Sequence, residues 1–189
     1  MAEVTRLLVD RLDTPIGELI LAADVGGRLR AVEWADGEAR LMRALQFQFG
    51  EKGFTLTPED NPGDLTLALA AYFEGELGIL EHLPVETGGT PFQREVWRAM
   101  REIPCGATLS YSELARRIDR PTAVRAVGRA NGSNPVAVVV PCHRVVGQGG
   151  SLTGYGGGIE RKHWLLAHEG AHLAAGSHWV TSTELSAST

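Results

Sequence analysis

Two helix-start signals in the middle of the chain constrain its fold more than any other feature. At Thr90–Gln93 and again at Ser110–Glu113, a Ser or Thr is followed three residues later by a Glu or Gln, so that the two side chains can satisfy each other's free backbone amides. The second signal opens a short helix through Ile118, and we predict a further helix that has Pro121 in its first turn and runs to about Asn131. Two short helices joined by a tight turn fit a helix-turn-helix, although such hairpins also occur in proteins that bind no DNA.

The N-terminal part has a different periodicity. Three short β-rich runs separated by glycine turns predict an antiparallel meander: Val4–Leu12, Glu18–Val25 and Leu29–Trp34. Two helices should follow, at Glu38–Phe49 and Asp64–Glu76, with residues 57–63 as a loop between them. We therefore expect an N-terminal α/β domain of residues 1–88, a C-terminal domain of residues 89–172 and a loose tail of residues 173–189.

Charge is divided between the same two parts. The formal net charge of −5 argues against a nucleic-acid partner if it is taken for the whole chain. Residues 1–90, however, hold 16 acidic residues against 7 basic ones, whereas residues 91–145 hold 9 arginines against 4 acidic residues. An acidic module is thus followed by a basic one. The basic block indicates either an anionic partner or a solvated, arginine-rich face.

Cysteine content and the length of the apolar runs indicate the cellular compartment of the chain. Cys105 and Cys142 are too few for a disulfide framework, and no recognised metal-ligand spacing is present, so we expect free thiols and no metal. No apolar run approaches the roughly 18 residues of a membrane span, and no secretory signal is visible. We therefore expect a cytoplasmic protein with no membrane partner.

The predicted helix after Pro121 has an unusual surface. Arg125 and Arg129, four residues apart, project from one face, and Gly128 lies between them. A glycine inside a helix costs about 1 kcal/mol relative to alanine. Either the helix packs tightly there, or a nucleic-acid backbone or narrow groove approaches it closely.

The strongest chemical signal surrounds the second cysteine. We predict a buried strand at Val136–Val140, and Pro141, Cys142, His143 and Arg144 follow it directly. Neighbouring cations or a histidine lower the pKa of a thiol, and His143 could take its proton. A buried, inert cysteine remains the alternative if this pair is considered alone.

A carboxylate that could orient this histidine lies further along. Ile159–Glu169 is predicted as a helix closed by Gly170. Glu169 would occupy the last turn, where the helix dipole disfavours a negative charge by about 0.3–1 kcal/mol, which indicates that it has a partner or a task. The glycine-rich run Gly154–Gly158, with Tyr155 inside it, suggests a mobile lid or pocket wall and lacks the ending of a phosphate-binding loop.

These residues resemble a known family. Val140–Val146, preceded by Arg125–Gly128 and Asn134-Pro135, is similar to the signature of the O6-alkylguanine-DNA alkyltransferases, also called methylated-DNA–protein-cysteine methyltransferases, and most of all to their shorter, non-adaptive bacterial type. The likeness extends through Gly154–Gly157 and Leu165–Gly170. It implies an α+β protein, with an N-terminal ribonuclease-H-like domain built on an antiparallel sheet and a C-terminal winged-helix-like, helical DNA-binding domain.

The resemblance also implies an activity. The chain would transfer an alkyl (methyl) group irreversibly, once per molecule and without a cofactor, from O6-alkylguanine or O4-alkylthymine in duplex DNA to Cys142. His143 would act as general base through a water, and Glu169 would orient it. Tyr111 would donate a proton to the departing base, and Asn134 would hold the turn before the active-site strand. Because the alkyl group lies within the duplex, the base must first be flipped out.

Further residues are implied in DNA and substrate binding. Arg125 would fill the gap left by the flipped base, after binding in the minor groove. The DNA-binding residues would be Thr122, Ala123, Arg125, Gly128 and Arg129, and the pocket would be lined by Pro141, Val145, Tyr155, Gly156 and Gly157. Some relatives have Ser where this chain has Gly156, so the pocket here could accept bulkier alkyl groups. We expect a monomer that binds duplex DNA carrying the lesion, and cooperative binding stays open.

Two other classes of function remain as alternatives. A lesion-binding module without transfer activity, like the alkyltransferase-like proteins, would have another residue in place of Cys142. A helix-turn-helix regulator with Cys142 as a redox sensor would bind specific sequences and take up no alkyl group. We interpret Cys105 as structural, although a disulfide between the two cysteines would inactivate the transfer.

Overall fold

The computed structural model describes residues 4–171, so the tail expected at 173–189 lies outside the described residues. Its β-rich N-terminal runs form one four-stranded sheet of order β3-β2-β1-β4. The strands are β1 (Thr5–Thr14), β2 (Gly17–Asp24), β3 (Leu29–Trp34) and β4 (Phe54–Pro58). The first three form the predicted antiparallel meander, with Thr14 opposite Gly17 at the first turn.

The fourth strand was not predicted, and it makes the sheet mixed. β4 pairs in parallel with β1, Thr5 lying opposite Phe54, so one parallel strand extends the predicted antiparallel sheet at this edge. β4 also takes up the first two residues of the loop predicted at 57–63. Only five residues long and half-exposed, it carries too little periodicity to be recognised without its partner.

Helices cover both faces of this sheet. α1 (Glu38–Phe49) has the predicted bounds, and its Leu41 and Leu45 pack on one face in a small core with Leu7. α2 (Leu65–Phe73) packs on the other face and ends three residues before the predicted limit. A 3-10 turn at Leu77–His82 follows it. Strand β2 is consequently buried on both sides.

The C-terminal part begins at the two predicted capping boxes. α3 (Pro91–Arg101) and α4 (Tyr111–Arg117) each start with both reciprocal side-chain bonds in place. α5 (Val124–Gly132) starts later than predicted, because Asp119 is left-handed (φ 57°) and the Ala123 amide donates to the Arg120 carbonyl in a separate turn. Pro121 therefore lies outside the helix, although α4 and α5 still form the expected helix-turn-helix pair.

A small parallel sheet and one more helix complete the fold. The sheet pairs β5 (Leu109–Ser110) with β6 (Val145–Val146). α6 (Ile159–His168) ends as predicted, with Glu169 at its C-cap and Gly170 at φ 70°. Within residues 4–171, no helix is both long enough and apolar enough to cross a bilayer.

The segment Val136–Val140, which was predicted as a strand, forms a turn. The first residues of this turn are bound to strand β3. Val136 forms a single bridge with Val32 of β3, and the Ala137 amide donates to the Val32 carbonyl over 2.9 Å. Val138 then adopts φ 69°, a left-handed conformation that a β-branched residue rarely accepts. The segment therefore cannot continue as a strand.

One continuous core joins the two parts. It contains Trp34 and Tyr72 from the N-terminal part together with Met100, Val140 and Leu165 from the C-terminal part. This shared core fixes the N-terminal sheet against the segment that leads to the thiol.

Candidate active site

Cys142 lies at a cavity between the two parts of the chain. It follows Pro141 in a 3-10 turn (Cys142–Arg144) and is buried, with 7% of its surface exposed. The cavity has a volume of about 650 Å³. Predicted site residues that line it are Cys142, Tyr111, Gly128, Asn134, Tyr155, Gly156 and Gly157. Pro141 and Val145 are buried beside the thiol in the chain but do not line the cavity.

The thiol environment differs from the expectation of a lowered pKa. Burial raises the pKa of Cys142, and the Asn134 amide and the Lys162 ammonium oppose that rise only in part. Close packing around the sulfur raises this pKa. The basic residues next to Cys142 in the sequence indicated a lower pKa, because the sequence does not show how deeply the thiol is buried. Cys142 is therefore a protonated thiol at neutral pH. Cys105 is also a free thiol.

Asn134 ties together the turn that carries the thiol. Its Oδ1 accepts from the Val136 amide at 3.0 Å, and its Nδ2 donates to the Val140 carbonyl at 2.8 Å. These bonds span the turn in which Val138 is strained, a conformation that costs on the order of 1–3 kcal/mol. Asn134 thus helps to fix the turn that leads to Cys142.

His143 and Glu169 form a fully buried pair. His143 Nε2 lies 2.9 Å from Glu169 Oε1, and both side chains have no solvent exposure. An ionised carboxylate can only accept, so Nε2 carries the proton and donates it. Burial lowers the pKa of His143 below its usual 6.5, which keeps the ring neutral at neutral pH. Its other nitrogen, Nδ1, has no hydrogen-bond partner among residues 4–171 and is left as an acceptor.

Glu169 has the partners that its unfavourable place at a helix end predicted. Arg144 donates to both carboxylate oxygens, from Nε at 2.8 Å and from Nη2 at 2.8 Å. Tyr72 of α2 donates its hydroxyl to Oε1 at 2.7 Å. Burial alone would raise the pKa of Glu169, but the bonds from His143 and Arg144 outweigh it, so the pKa lies well below the usual 4.5. Tyr72 was missed in the sequence, where nothing connects it with Glu169.

Lys162 is a second buried charge beside the thiol. Its Nζ donates to the Val145 carbonyl at 2.6 Å and to the Thr153 carbonyl at 2.9 Å. Burial lowers the pKa of Lys162 to about 8, against the attraction of Cys142. In the sequence, Lys162 lies on nearly the same face of the predicted helix as Glu169. Nothing else in the sequence indicated that Lys162 would be buried near the thiol.

The helix-turn-helix presents the predicted arginines to solvent. Arg125 and Arg129 of α5 are exposed, as is Thr122, whereas Ala123 is half-buried. A side-chain carbon at Gly128 would lie 3.9 Å from the ring of Tyr111, an ordinary contact. Tight helix packing therefore does not account for this glycine, and its missing side chain leaves an open surface beside the cavity.

The glycine-rich segment forms one wall of the cavity and is held by the N-terminal part. Any side chain at Gly157 would collide with Trp34, whereas a side chain at Gly156 would reach only ordinary contact with Arg40. Arg161 Nε donates to the Ile16 carbonyl at 2.8 Å, and its guanidinium lies 4.6 Å from the centre of the Trp34 ring. The wall is thus anchored to the first hairpin of the chain.

Comparison with known proteins gives matches along most of the chain. The family model for the 6-O-methylguanine DNA methyltransferase ribonuclease-like domain matches residues 7–87, and the model for the DNA binding domain of the same family matches residues 91–171. A methylated-DNA–protein-cysteine methyltransferase of Shigella flexneri is 51% identical over 165 residues, which cover 87% of this chain and 96% of the relative. One from Mycolicibacterium paratuberculosis is 45% identical over 166 residues, with 87% and 93% covered.

Solved structures agree with these matches. The crystal structure of Mycobacterium tuberculosis OGT in complex with DNA superposes with a TM-score of 0.71 at 41% identity, covering 90% of this chain and 96% of that one. The crystal structure of the Mycobacterium tuberculosis O6-methylguanine methyltransferase gives a TM-score of 0.69 at 39% identity, with 87% and 93% covered.

Proposed function

The chain belongs to the 6-O-methylguanine DNA methyltransferase family, and on that premise we propose that it repairs DNA by moving an alkyl group from O6-alkylguanine in a duplex to the sulfur of its own Cys142. The observation that carries this assignment is the fully buried His143–Glu169 pair next to Cys142, in which His143 Nδ1 has no hydrogen-bond partner within the described residues 4–171. The free nitrogen is the base that a buried, protonated thiol requires.

The transfer is a displacement at the alkyl carbon. The Cys142 proton passes through a bridging water to His143 Nδ1, and Glu169 stabilises the imidazolium that forms. The sulfur then attacks the alkyl carbon, a carbon–sulfur bond forms, and the carbon–oxygen bond breaks with its electron pair on guanine O6. The Tyr111 hydroxyl gives a proton to the base as it leaves and regains one from the imidazolium through solvent. The products are restored guanine and an S-alkylcysteine.

The chemistry of the product accounts for a single reaction per molecule. In S-alkylcysteine the alkyl carbon is held by a neutral thioether, and its removal would have to expel an unactivated thiolate, so the alkyl group stays on Cys142. The protein is therefore a stoichiometric acceptor, and we extend the same chemistry to O4-alkylthymine because its alkyl group is likewise bonded to an exocyclic oxygen of the base.

DNA binding uses the helix-turn-helix and the open surface at Gly128. The base must leave the stack at a cost of a few kcal/mol before its alkyl carbon can reach Cys142. Arg125, exposed on α5 beside that surface, enters the duplex and fills the gap, which offsets the cost. Arg129 and Thr122 lie on the same exposed part of the helix-turn-helix and bind phosphates, which position the protein without specifying a sequence. We place the activity in the cytoplasm, where thiols remain reduced.

Mass spectrometry tests the assignment directly. After incubation with a duplex that contains one O6-methylguanine, the peptide bearing Cys142 should gain one methyl group. Undamaged duplex and the Cys142→Ala variant, which retains Cys105 as an internal thiol control, should show no gain. Tight lesion binding without a mass change would move the protein to the lesion-binding class. No preference for the lesion would leave the redox-regulator alternative.

A further inference from the structure

We propose that Tyr72, in the N-terminal part, is a positioning residue for the transfer: its hydroxyl holds Glu169 in the orientation in which that carboxylate aligns His143. This inference rests on the proposed function. It assigns the N-terminal domain a direct part in the reaction, although the thiol, the base and the DNA-binding helices all belong to the C-terminal domain.

Tyr72, His143 and Arg144 all bind the Glu169 carboxylate. Tyr72 donates to Glu169 Oε1 at 2.7 Å, and His143 Nε2 lies 2.9 Å from the same oxygen. Arg144 reaches both oxygens and fixes the plane of the carboxylate. Rotation of Glu169 away from His143 would therefore have to break the Tyr72 bond, and a low-dielectric interior makes that bond costly to lose.

The Tyr72 ring is held in place without help from its hydroxyl. It makes edge contacts with Phe73 and His168, each with ring centres 5.2 Å apart. His168 Nε2 lies 2.7 Å from the Tyr72 carbonyl, so the backbone is held as well. A phenylalanine would keep these packing contacts. What the oxygen adds is the bond to Glu169, across 97 positions of sequence.

The Tyr72 hydroxyl also affects the pKa of His143, because both residues bind the same carboxylate oxygen of Glu169. Other groups face Glu169 or its histidine from each surrounding element: Arg144 from the 3-10 turn, Cys105 from the segment after α3, and Lys162 from α6. Burial and the nearby Glu169 keep the pKa of Tyr72 far above 10, so it remains a neutral donor. By donating to Oε1, it reduces the pull of that oxygen on the His143 proton. Loss of the hydroxyl should therefore raise the pKa of His143.

Tyr72→Phe tests the proposal, with Phe49→Leu as the control, because Phe49 packs against Phe54 in the separate core under α1, with ring centres 6.1 Å apart. Single-turnover methyl transfer from an O6-methylguanine duplex is followed from pH 5 to 9, together with duplex affinity and thermal unfolding. We expect Tyr72→Phe to react about tenfold more slowly, the effect of about 1.4 kcal/mol in the barrier, and to move the acid limb of its pH profile upward. Its affinity for the duplex should be unchanged. Phe49→Leu should unfold at a lower temperature and keep the wild-type pH profile.

Nitrogen-15 NMR of His143 separates this proposal from the proposed function. The titration reports the His143 pKa and tautomer whether or not methyl transfer occurs. A higher His143 pKa in Tyr72→Phe supports the positioning role even if the wild-type protein transfers nothing, in which case the proposed function alone fails. A wild-type His143 titration in Tyr72→Phe, or a pH profile that Phe49→Leu shifts equally, overturns the role of Tyr72.

Discussion

Arg144 binds Glu169 through a two-pronged ion pair in the protein interior, with Nε on Oε2 and Nη2 on Oε1, both at 2.8 Å. Arg144 also donates from Nη1 to the Ile103 carbonyl at 2.6 Å. The pair links the turn that carries Cys142 to the end of α6 and to the end of α3. The carboxylate that we propose to align the base is thus also a structural support of the site.

Removing the charge of Glu169 should cost considerable stability. Glu169→Gln leaves the buried Arg144 guanidinium without a counter-charge, so we expect the free energy of unfolding in urea to fall by about 3–5 kcal/mol. Glu102→Gln is the control, because Glu102 pairs with Arg117 at 3.4 Å on the surface, where both are exposed. That variant should lose at most about 1 kcal/mol. Equal losses in the two variants would contradict the structural role of the buried pair.

Acid should weaken the wild-type protein through the same carboxylate. The pKa of Glu169 is depressed in the folded state from its usual 4.5. Its contribution is therefore fully present above pH 4.5 and is lost progressively as the pH falls toward the folded-state value. Thermal unfolding from pH 6 to pH 2 should show a steeper decline for the wild type than for Glu169→Gln. Parallel curves would show that this group does not drive the acid response.

Lys162 should act in the alkaline range, where its contribution to the free energy of unfolding also rises with pH. Its pKa is about 8 when folded and near 10.5 when unfolded, so the unfolded chain binds more protons between these values and this residue adds stability as the pH rises. The gain approaches about 3 kcal/mol. Buried cysteine and tyrosine titrate the other way, so the quantity to measure is the difference between wild type and Lys162→Met. From pH 8 to pH 10.5 the wild type should gain free energy of unfolding relative to Lys162→Met. If the difference between the two proteins stayed constant over this range, the prediction of a buried Lys162 ammonium would be contradicted.

Arg125 should affect the repair of duplex DNA but not the transfer of the alkyl group to Cys142. It is exposed and makes no ion pair within residues 4–171, so Arg125→Ala should change stability by less than about 0.5 kcal/mol. We expect repair of O6-methylguanine in a duplex to slow at least about tenfold, because the flipped-out state loses its support. Reaction with free O6-benzylguanine, which needs no flipping, should be unchanged. A matched loss with both substrates would place Arg125 in the site itself.

Local sequence signals correctly predicted the helix ends that depend on residues close together in the chain. The capping boxes at Thr90 and Ser110 start α3 and α4 because both partners of each bond lie within one helical turn. Gly170 ends α6 for a similarly local reason, and the unfavourable place of Glu169 at that end correctly indicated that it has partners. The motif around Cys142 was sufficient to identify the family.

Only the tertiary structure decided what depends on residues far apart in the chain. β4 exists through its pairing with β1, and the apolar Val136–Val140 becomes a strained turn because Asn134 and the edge of β3 hold it. The bond from Tyr72 to Glu169 and the raised pKa of the Cys142 thiol likewise have no sequence signal. Burial and long-range hydrogen bonds are properties of the assembled core, and the free energy that a group gains or loses there depends on neighbours that local sequence patterns do not specify.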